Sequence, residues 1–305
     1  MRFGMDYGGT NVKAGVFDDH GEAVVFREEP LQIFRGEGTL LDNLLANASD
    51  LARGHRLSGG GLAIKGLVNV ASGVLEEDIG EGSLLAGIDL RAAFAERLGI
   101  PFAVENDARA YAWGEWLFGA GQGSRGMVCM TLGTGVGCAV VHDGKPFQGA
   151  DQYGALLGGH LSIDRDGPPC LCGSRGCLEL YCSATAIHKR VHSAHPDVFR
   201  GVADPLEKFF SAVRRGEMQY VQTFREIVDD LALGIVNVIH AYAPDVVVLG
   251  GGVMKSADVI LPLLAEEVRR MAWTLPRGKV QLRAGRLGGR AAALGAAFHP
   301  SLSLP

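Results

Sequence analysis

No stretch of the 305-residue sequence approaches the ~18 apolar residues that a bilayer-crossing helix needs. The N-terminus, MRFGMDYGGT, has no apolar core followed by a cleavage site, which excludes a signal peptide. Basic runs are missing as well. The formal charge is 29 − 34 = −5, so nucleic acid and anionic membranes are poor partners. Cysteine is scarce, six residues with three of them between Cys170 and Cys177, a usage that suits a reducing cytoplasm better than a disulfide framework. Proline is thin, 12 residues against 44 glycines, which argues for tight turns and backbone-lined ligand loops rather than disorder. No low-complexity linker interrupts the chain. The expectation is a soluble cytoplasmic protein, long enough for two domains with separate cores.

What is present is concentrated between Gly149 and Glu179. His160 stands ten residues before a Cys170-x-Cys172-x₄-Cys177 cluster, with Glu179 two residues beyond. Three thiols and one imidazole make a complete tetrahedral Zn²⁺ set with no open position for a reacting water, so the site is expected to be structural. Gly173 and Gly176 let the backbone turn tightly around a small ion. Buried free thiols or disulfides are the plainer alternative, and the clustering with a histidine argues against them.

Along the chain, residues 2–7 read as a strand, Gly8-Gly9-Thr10 as a tight turn, and the apolar positions from Val12 to Phe26 as two further strands around Asp18-Asp19-His20-Gly21. Helices are expected near 39–57, 84–98 and 107–118, with strands at 61–64 and 102–104. The opening pattern then recurs. Met127–Leu132 runs into Gly133-Thr134-Gly135-Val136-Gly137, then Cys138–Val141 and a turn at His142-Asp143-Gly144. Two strand–glycine turn–strand units point to a duplicated α/β domain with a phosphate loop in each half. Helical text broken around Pro196–Pro205, a long amphipathic run at 224–243, an apolar strand at 246–249 followed by Gly250-Gly251-Gly252, a helix at 257–273, a strand at 280–283 and an alanine-rich helix at 290–298 complete the chain. The domains are expected at 1–118 and 119–289, with 290–305 returning to the first.

Three glycine-rich turns thus follow apolar strands. Glycine lets backbone N–H groups approach a phosphate, and Thr10 and Thr134 add hydroxyl donors. None is a P-loop, and any one alone is as readily an ordinary turn. Asp6 reads either as a turn-forming residue or as a carboxylate facing a nucleotide-bound Mg²⁺ through water. Asp107, beside Asn106 and ahead of a helix, reads either as an N-cap or as a general base taking a proton from a hydroxyl. Lys13 would add positive charge for phosphoryl transfer.

Over essentially its full length the chain resembles the ROK family (repressor, open reading frame, kinase) of sugar kinases. DYGGT at 6–10, ENDA at 105–108, LGTGVG at 132–137, GGH at 158–160, CLCGSRGCLE at 170–179 and VVLGGGV at 247–253 carry the resemblance. It implies an actin-like, ribonuclease-H-like two-domain fold with sugar and ATP in an interdomain cleft. It also implies Asp107 as the base, sugar contacts from Gly66, Asn106, His160 and Glu179, and His160 as a zinc ligand too. The nucleotide side would comprise Asp6, Gly8, Gly9, Thr10, Asn11, Lys13, Gly133, Thr134, Gly135, Gly137 and Gly250–Gly252, with Mg²⁺ on the ATP. A homodimer or homotetramer is the expected assembly. ROK repressors carry a helix-turn-helix ahead of the first phosphate loop. With Asp6 the sixth residue, a kinase without that domain is expected.

Two departures concern the sugar. Where the family has Glu-x-Gly-His this chain has Leu157-Gly158-Gly159-His160, and where it has Pro-Gly and a later Asn, Lys65-Gly66 and Glu81 align. A sugar-binding ROK protein with weak or no kinase activity is therefore the alternative reading.

Overall fold

The structure, a computed structural model, describes residues 1–77, 84–150, 153, 158–199 and 202–302. By contacts the chain forms two units: Met1–Gln122 with Lys145–Ala155 and Arg286–Pro305, and Gly123–Gly144 with Leu156–Gly285. The chain crosses into the second unit after Gln122 rather than after Phe118, and it returns at Arg286, ahead of the expected final helix.

The first unit opens with β1 (Arg2–Tyr7), β2 (Asn11–Phe17) and β3 (Ala23–Pro30), followed by α1 (Leu31–Phe34), α2 (Leu40–Ala52) and β4 (Gly60–Ile64). A hairpin, β5 (Leu67–Asn69) and β6 (Val74–Glu77), precedes α3 (Leu90–Leu98), β7 (Phe102–Asn106) and α4 (Asp107–Phe118). The strands lie in the order β3-β2-β1-β4-β7. β1, β4 and β7 are parallel, with Asp6 level with Ala63 and Ala63 level with Glu105. Alternation then separates two faces. Phe3, Met5, Leu62, Ile64, Phe102 and Val104 join the core under α2 and α3, where Leu44, Leu90 and Phe94 are fully buried. The other face carries Gly4, Asp6, Gly61, Ala63, Ala103 and Glu105, small residues ending in two acids.

Helix α3 starts at Leu90, not at 84. Gly87 has φ 75°, and the Asp89 carboxylate accepts the Ala92 N–H at 2.9 Å as an N-cap, so the helix begins at the cap.

In the second unit β8 (Gly126–Leu132) and β9 (Val136–His142) form an antiparallel pair, from Gly126 opposite His142 to Leu132 opposite Val136. The turn Gly133 N–H to Gly135 O (3.0 Å) answers Gly8 N–H to Asn11 O (3.1 Å) in the first unit. A short edge strand, β10, spans Lys145–Pro146. Helices α5 (Glu179–Cys182), α6 (Ala184–Ala194), α7 (Pro205–Arg214) and α8 (Met218–Tyr242) precede β11 (Val246–Gly250), α9 (Ala257–Met271) and β12 (Gln281–Ala284). β11 runs parallel to β8 and to β12. Among the described residues no helix is long and apolar enough to cross a membrane.

The last helix, α10 (Ala291–Ala297, AAALGAA), belongs to the first unit and is buried throughout. It lies on the small-residue face of that sheet. A Cβ at Gly4 would meet the Ala293 carbonyl, one at Gly61 the Ala296 carbonyl, and one at Gly295 the Ala110 carbonyl of α4. Only glycine permits backbones to come this close.

Glu115, on α4, is 0% exposed. Its Oε2 accepts the N–H groups of Ala120 (2.8 Å) and Arg286 (3.1 Å), and Oε1 that of Leu287 (2.9 Å). One carboxylate thus secures the chain just before it leaves the first unit and just after it returns. An unmade buried hydrogen bond costs ~1–3 kcal/mol, so Glu115→Ala should lose about 3–5 kcal/mol in chemical denaturation. A loss below ~1 kcal/mol would mean that water replaces the carboxylate.

Candidate active site

The carboxyl ends of β1, β4 and β7 lie side by side and carry Asp6 with Gly8–Thr10, Lys65-Gly66, and Asn106-Asp107. Open α/β sheets place their ligand chemistry at such ends. The helix cap falls to Asn106, whose Oδ1 accepts the N–H groups of Ala108 (3.0 Å) and Arg109 (3.3 Å). Its Nδ2 donates to the Gly66 carbonyl at 3.2 Å, joining the ends of β4 and β7. Asp107 is relieved of capping: one oxygen accepts the Ala108 N–H at 2.9 Å, and the other has no hydrogen bond among the described residues. Burial pushes the Asp107 carboxyl above its ordinary range, against the pull of the Ala108 N–H and the Lys65 charge. It is part-buried, so a ligand can reach it.

Asp6 is 8% exposed. Burial pushes its carboxyl up to about 7; the Lys13 charge opposes this and the Asp107 carboxylate adds to it. Lys13 Nζ lies 3.7 Å from Asp6. Asn11 Nδ2 donates to Glu28 Oε1 at 2.7 Å, so the Asn11 side chain stiffens the turn rather than standing clear of it. The first unit therefore gathers two mutually repelling carboxylates, a lysine and a glycine turn at one sheet edge.

In the second unit, Gly133–Gly137 and Gly250–Gly252 follow the ends of the neighbouring strands β8 and β11, where Thr131 is level with Gly250. Gly251 has φ 87° and its Cβ position is taken by the Leu132 carbonyl, so no other residue fits there. The Glu179 carboxylate accepts the Val136 N–H at 2.9 Å, Glu179 N–H donates to Gly159 O at 3.0 Å, and Ala184 N–H donates to Gly133 O at 2.7 Å. One Glu179 oxygen is thus committed to the Gly133–Gly137 turn, a role that a sugar contact alone does not anticipate. A Cβ at Gly135 would strike that carboxylate, and one at Gly159 the Val136 carbonyl.

The ligand atoms of His160, Cys170, Cys172 and Cys177 all lie within 4.8 Å of one another. His160 Nδ1 is 3.6 Å from Cys170 Sγ, and Cys172 Sγ is 3.6 Å from Cys177 Sγ. A tetrahedral Zn²⁺ with ordinary bond lengths requires edges of about 3.6 Å between N and S and about 3.8 Å between two S. The two printed contacts match such edges, and the chemistry of the donors, three thiols and one imidazole, suits the ion. All six cysteines are free.

Glu81 and Leu157 lie outside the described residues. Sequence reasoning missed Glu105, Arg109, Glu115 and His299 as a supporting layer. The acid in a strand of otherwise buried apolar text at 102–104 was the available signal.

The chain matches the ROK family over residues 2–299. It is 30% identical to a glucokinase of Thermotoga maritima over 274 residues, 87% of this chain and 86% of that protein. A ROK family glucokinase from Streptomyces griseus, solved with glucose and AMPPNP, superposes with a TM-score of 0.83 at 30% identity, covering 97% of this chain and 98% of that one. A ROK hexokinase from Thermus thermophilus gives a TM-score of 0.80 at 31% identity, covering 97% and 96%. Both solved structures share the actin-like fold with this chain, which belongs to the ROK family.

Proposed function

We propose that Asp107 is the general base of the ATP-dependent sugar phosphorylation that this chain carries out. The observation behind it is the uncapped carboxyl oxygen of Asp107 at the end of β7, beside an Asn106 that does the capping. As the sugar hydroxyl oxygen attacks the γ-phosphorus, its proton passes to Asp107, the new O–P bond forms, and the bond from the γ-phosphorus to the ADP oxygen breaks. The backbone N–H groups of Gly8–Thr10, Gly133–Gly137 and Gly250–Gly252 are read as the phosphate cradle, with Lys13 adding charge. Mg²⁺ bound with the nucleotide would neutralise phosphate charge, and Asp6 is the carboxylate placed to hold it through water. His160, Cys170, Cys172 and Cys177 are read as the ligands of a structural Zn²⁺.

The substrate is read as a hexose or hexose derivative held by Gly66, Asn106, His160 and the second oxygen of Glu179, with Glu81 a further contact expected from the sequence alone. Leu157 sets the expectation for specificity, because an apolar side chain in place of a carboxylate leaves one sugar hydroxyl without an acceptor. At ~1–3 kcal/mol that is roughly 10–100-fold in affinity. In a coupled ADP-release assay over hexoses, N-acetylhexosamines and hexosamines, glucose should be a weak substrate and Leu157→Glu should improve it. A sub-millimolar KM for glucose in the wild-type enzyme would defeat the argument from Leu157. No ADP release from any sugar would favour a binding protein instead.

A further inference from the structure

Two residues to either side of Asp107 stands a buried charged group that the phosphorylation step does not use. Glu105 is 3% exposed and Arg109 6%. Glu105 Oε1 accepts from Arg109 Nε at 2.7 Å and from the Asn106 N–H at 2.7 Å, and Oε2 pairs with His299 Nε2 at 3.3 Å. His299 Nδ1 accepts the Ser301 N–H at 3.3 Å, which leaves Nε2 to carry a proton and donate to Glu105. Burial raises the Glu105 carboxyl, but the His299 hydrogen bond and the Arg109 charge outweigh it and hold the group below the usual range. A buried ion pair stabilises little, if at all, relative to apolar side chains of the same volume. Stability alone therefore does not account for it.

Arg109 does something packing would not. Its Nη1 donates to the Tyr153 carbonyl at 2.7 Å, 44 residues along the chain. Nη2 makes a close charge contact with Glu105 Oε1 (2.6 Å) but no directed hydrogen bond among the described residues. Arg109 stands two residues after Asp107 on the first turn of α4, and its own N–H is held by the Asn106 cap. Tyr153 stands five residues before Gly158-Gly159-His160.

We propose that Arg109 is a positioning residue: pinned by Glu105, it clasps the Tyr153 carbonyl to the first turn of α4 and so sets Tyr153 and Asp107 in one register. The sugar hydroxyl is thereby held in line with the base. This rests on Asp107 being the base. A planar guanidinium suits the task, since it offers one edge to the carboxylate and another to the carbonyl.

The test is steady-state kinetics with the full chain, on the best sugar of the panel. Arg109→Gln should raise the sugar KM and lower kcat, each roughly 10-fold or more, because small misplacements of reacting groups are costly. The ATP KM should stay within about twofold, and Arg109→Lys should recover part of kcat by restoring one donor and the charge. Because Arg109→Gln leaves Glu105 a buried, unpaired charge, the doubly neutral Glu105→Gln/Arg109→Met variant repeats the measurement without that penalty. It should show the same split between sugar and ATP. Hydrogen exchange of the peptide containing Tyr153 should quicken in both variants, in excess of any change in global stability. Wild-type sugar KM and kcat in the doubly neutral variant, equal shifts in both KM values, or unchanged exchange at Tyr153 would each overturn the clasp. Asp107→Asn run in parallel separates the two readings. If it retains wild-type kcat, the base assignment falls and the clasp with it; if it is inactive while the Arg109 variants are normal, only the clasp falls.

Discussion

An Asp107→Asn enzyme should bind sugar and ATP close to normally and turn over roughly 10²–10⁴ times more slowly, the usual worth of a general base. The asparagine still accepts the Ala108 N–H, so the first turn of α4 keeps its geometry. What is lost is an interaction made only as the proton moves, which lowers kcat and kcat/KM together. The wild-type pH profile carries the sign. The base works deprotonated, and burial raises its pKa. Activity should therefore climb with rising pH along a limb centred above the ordinary carboxylate range, and in Asp107→Asn that limb should disappear. A variant that keeps near wild-type kcat removes Asp107 from the mechanism.

Stripping the metal should be the most damaging change to the second unit. Structural zinc sites carry apparent binding energies of about 10–16 kcal/mol at neutral pH, coupled to folding, and Cys177 is 0% exposed at the centre of the cluster. Purified, tag-free protein should contain one zinc per chain, and Cys177→Ser should lower its Tm sharply and release the metal. The damage should not stop at the sugar. Glu179 ties the segment after the cysteine cluster to the Val136 N–H, so the Gly133–Gly137 turn should loosen with it and the KM for ATP should rise along with that for sugar. Metal analysis that finds no zinc would remove the site. Zinc loss with an unchanged ATP KM would show that the tie at Glu179 carries no load.

Much of this was legible because it is local. The two glycine-turn strand pairs announce themselves through alternation and composition, and the four clustered residues of the candidate metal site fall within 18 residues of sequence from His160 to Cys177. The β5–β6 hairpin was missed although its signal is local as well. Asn69 Oδ1 accepts the N–H groups of Ala71 and Ser72, and Gly73 follows at φ 81°; the strands are three and four residues long, too short for periodicity to register. The supporting layer was illegible for a different reason. Glu105 meets His299 across 194 residues, and Glu115 meets Leu287 across 172. No spacing rule links positions that far apart. The small-residue face of the first sheet lay between these cases: Gly4-x-Asp6, Gly61-x-Ala63 and Ala103-x-Glu105 form a visible pattern, but its meaning depends on α10, which is chosen by the fold.

That dependence bears on how the molecule is made. The ribosome releases β1, β4 and β7 early, yet the helix that covers one face of their sheet is translated only after the whole of Gly123–Gly285. At about 5–20 residues per second the interval is on the order of ten to thirty seconds. For that time the nascent first unit holds an uncovered sheet face, while the second unit is itself still being synthesised. The half that emerges first is therefore the half whose residues are completed last, with the arrival of α10.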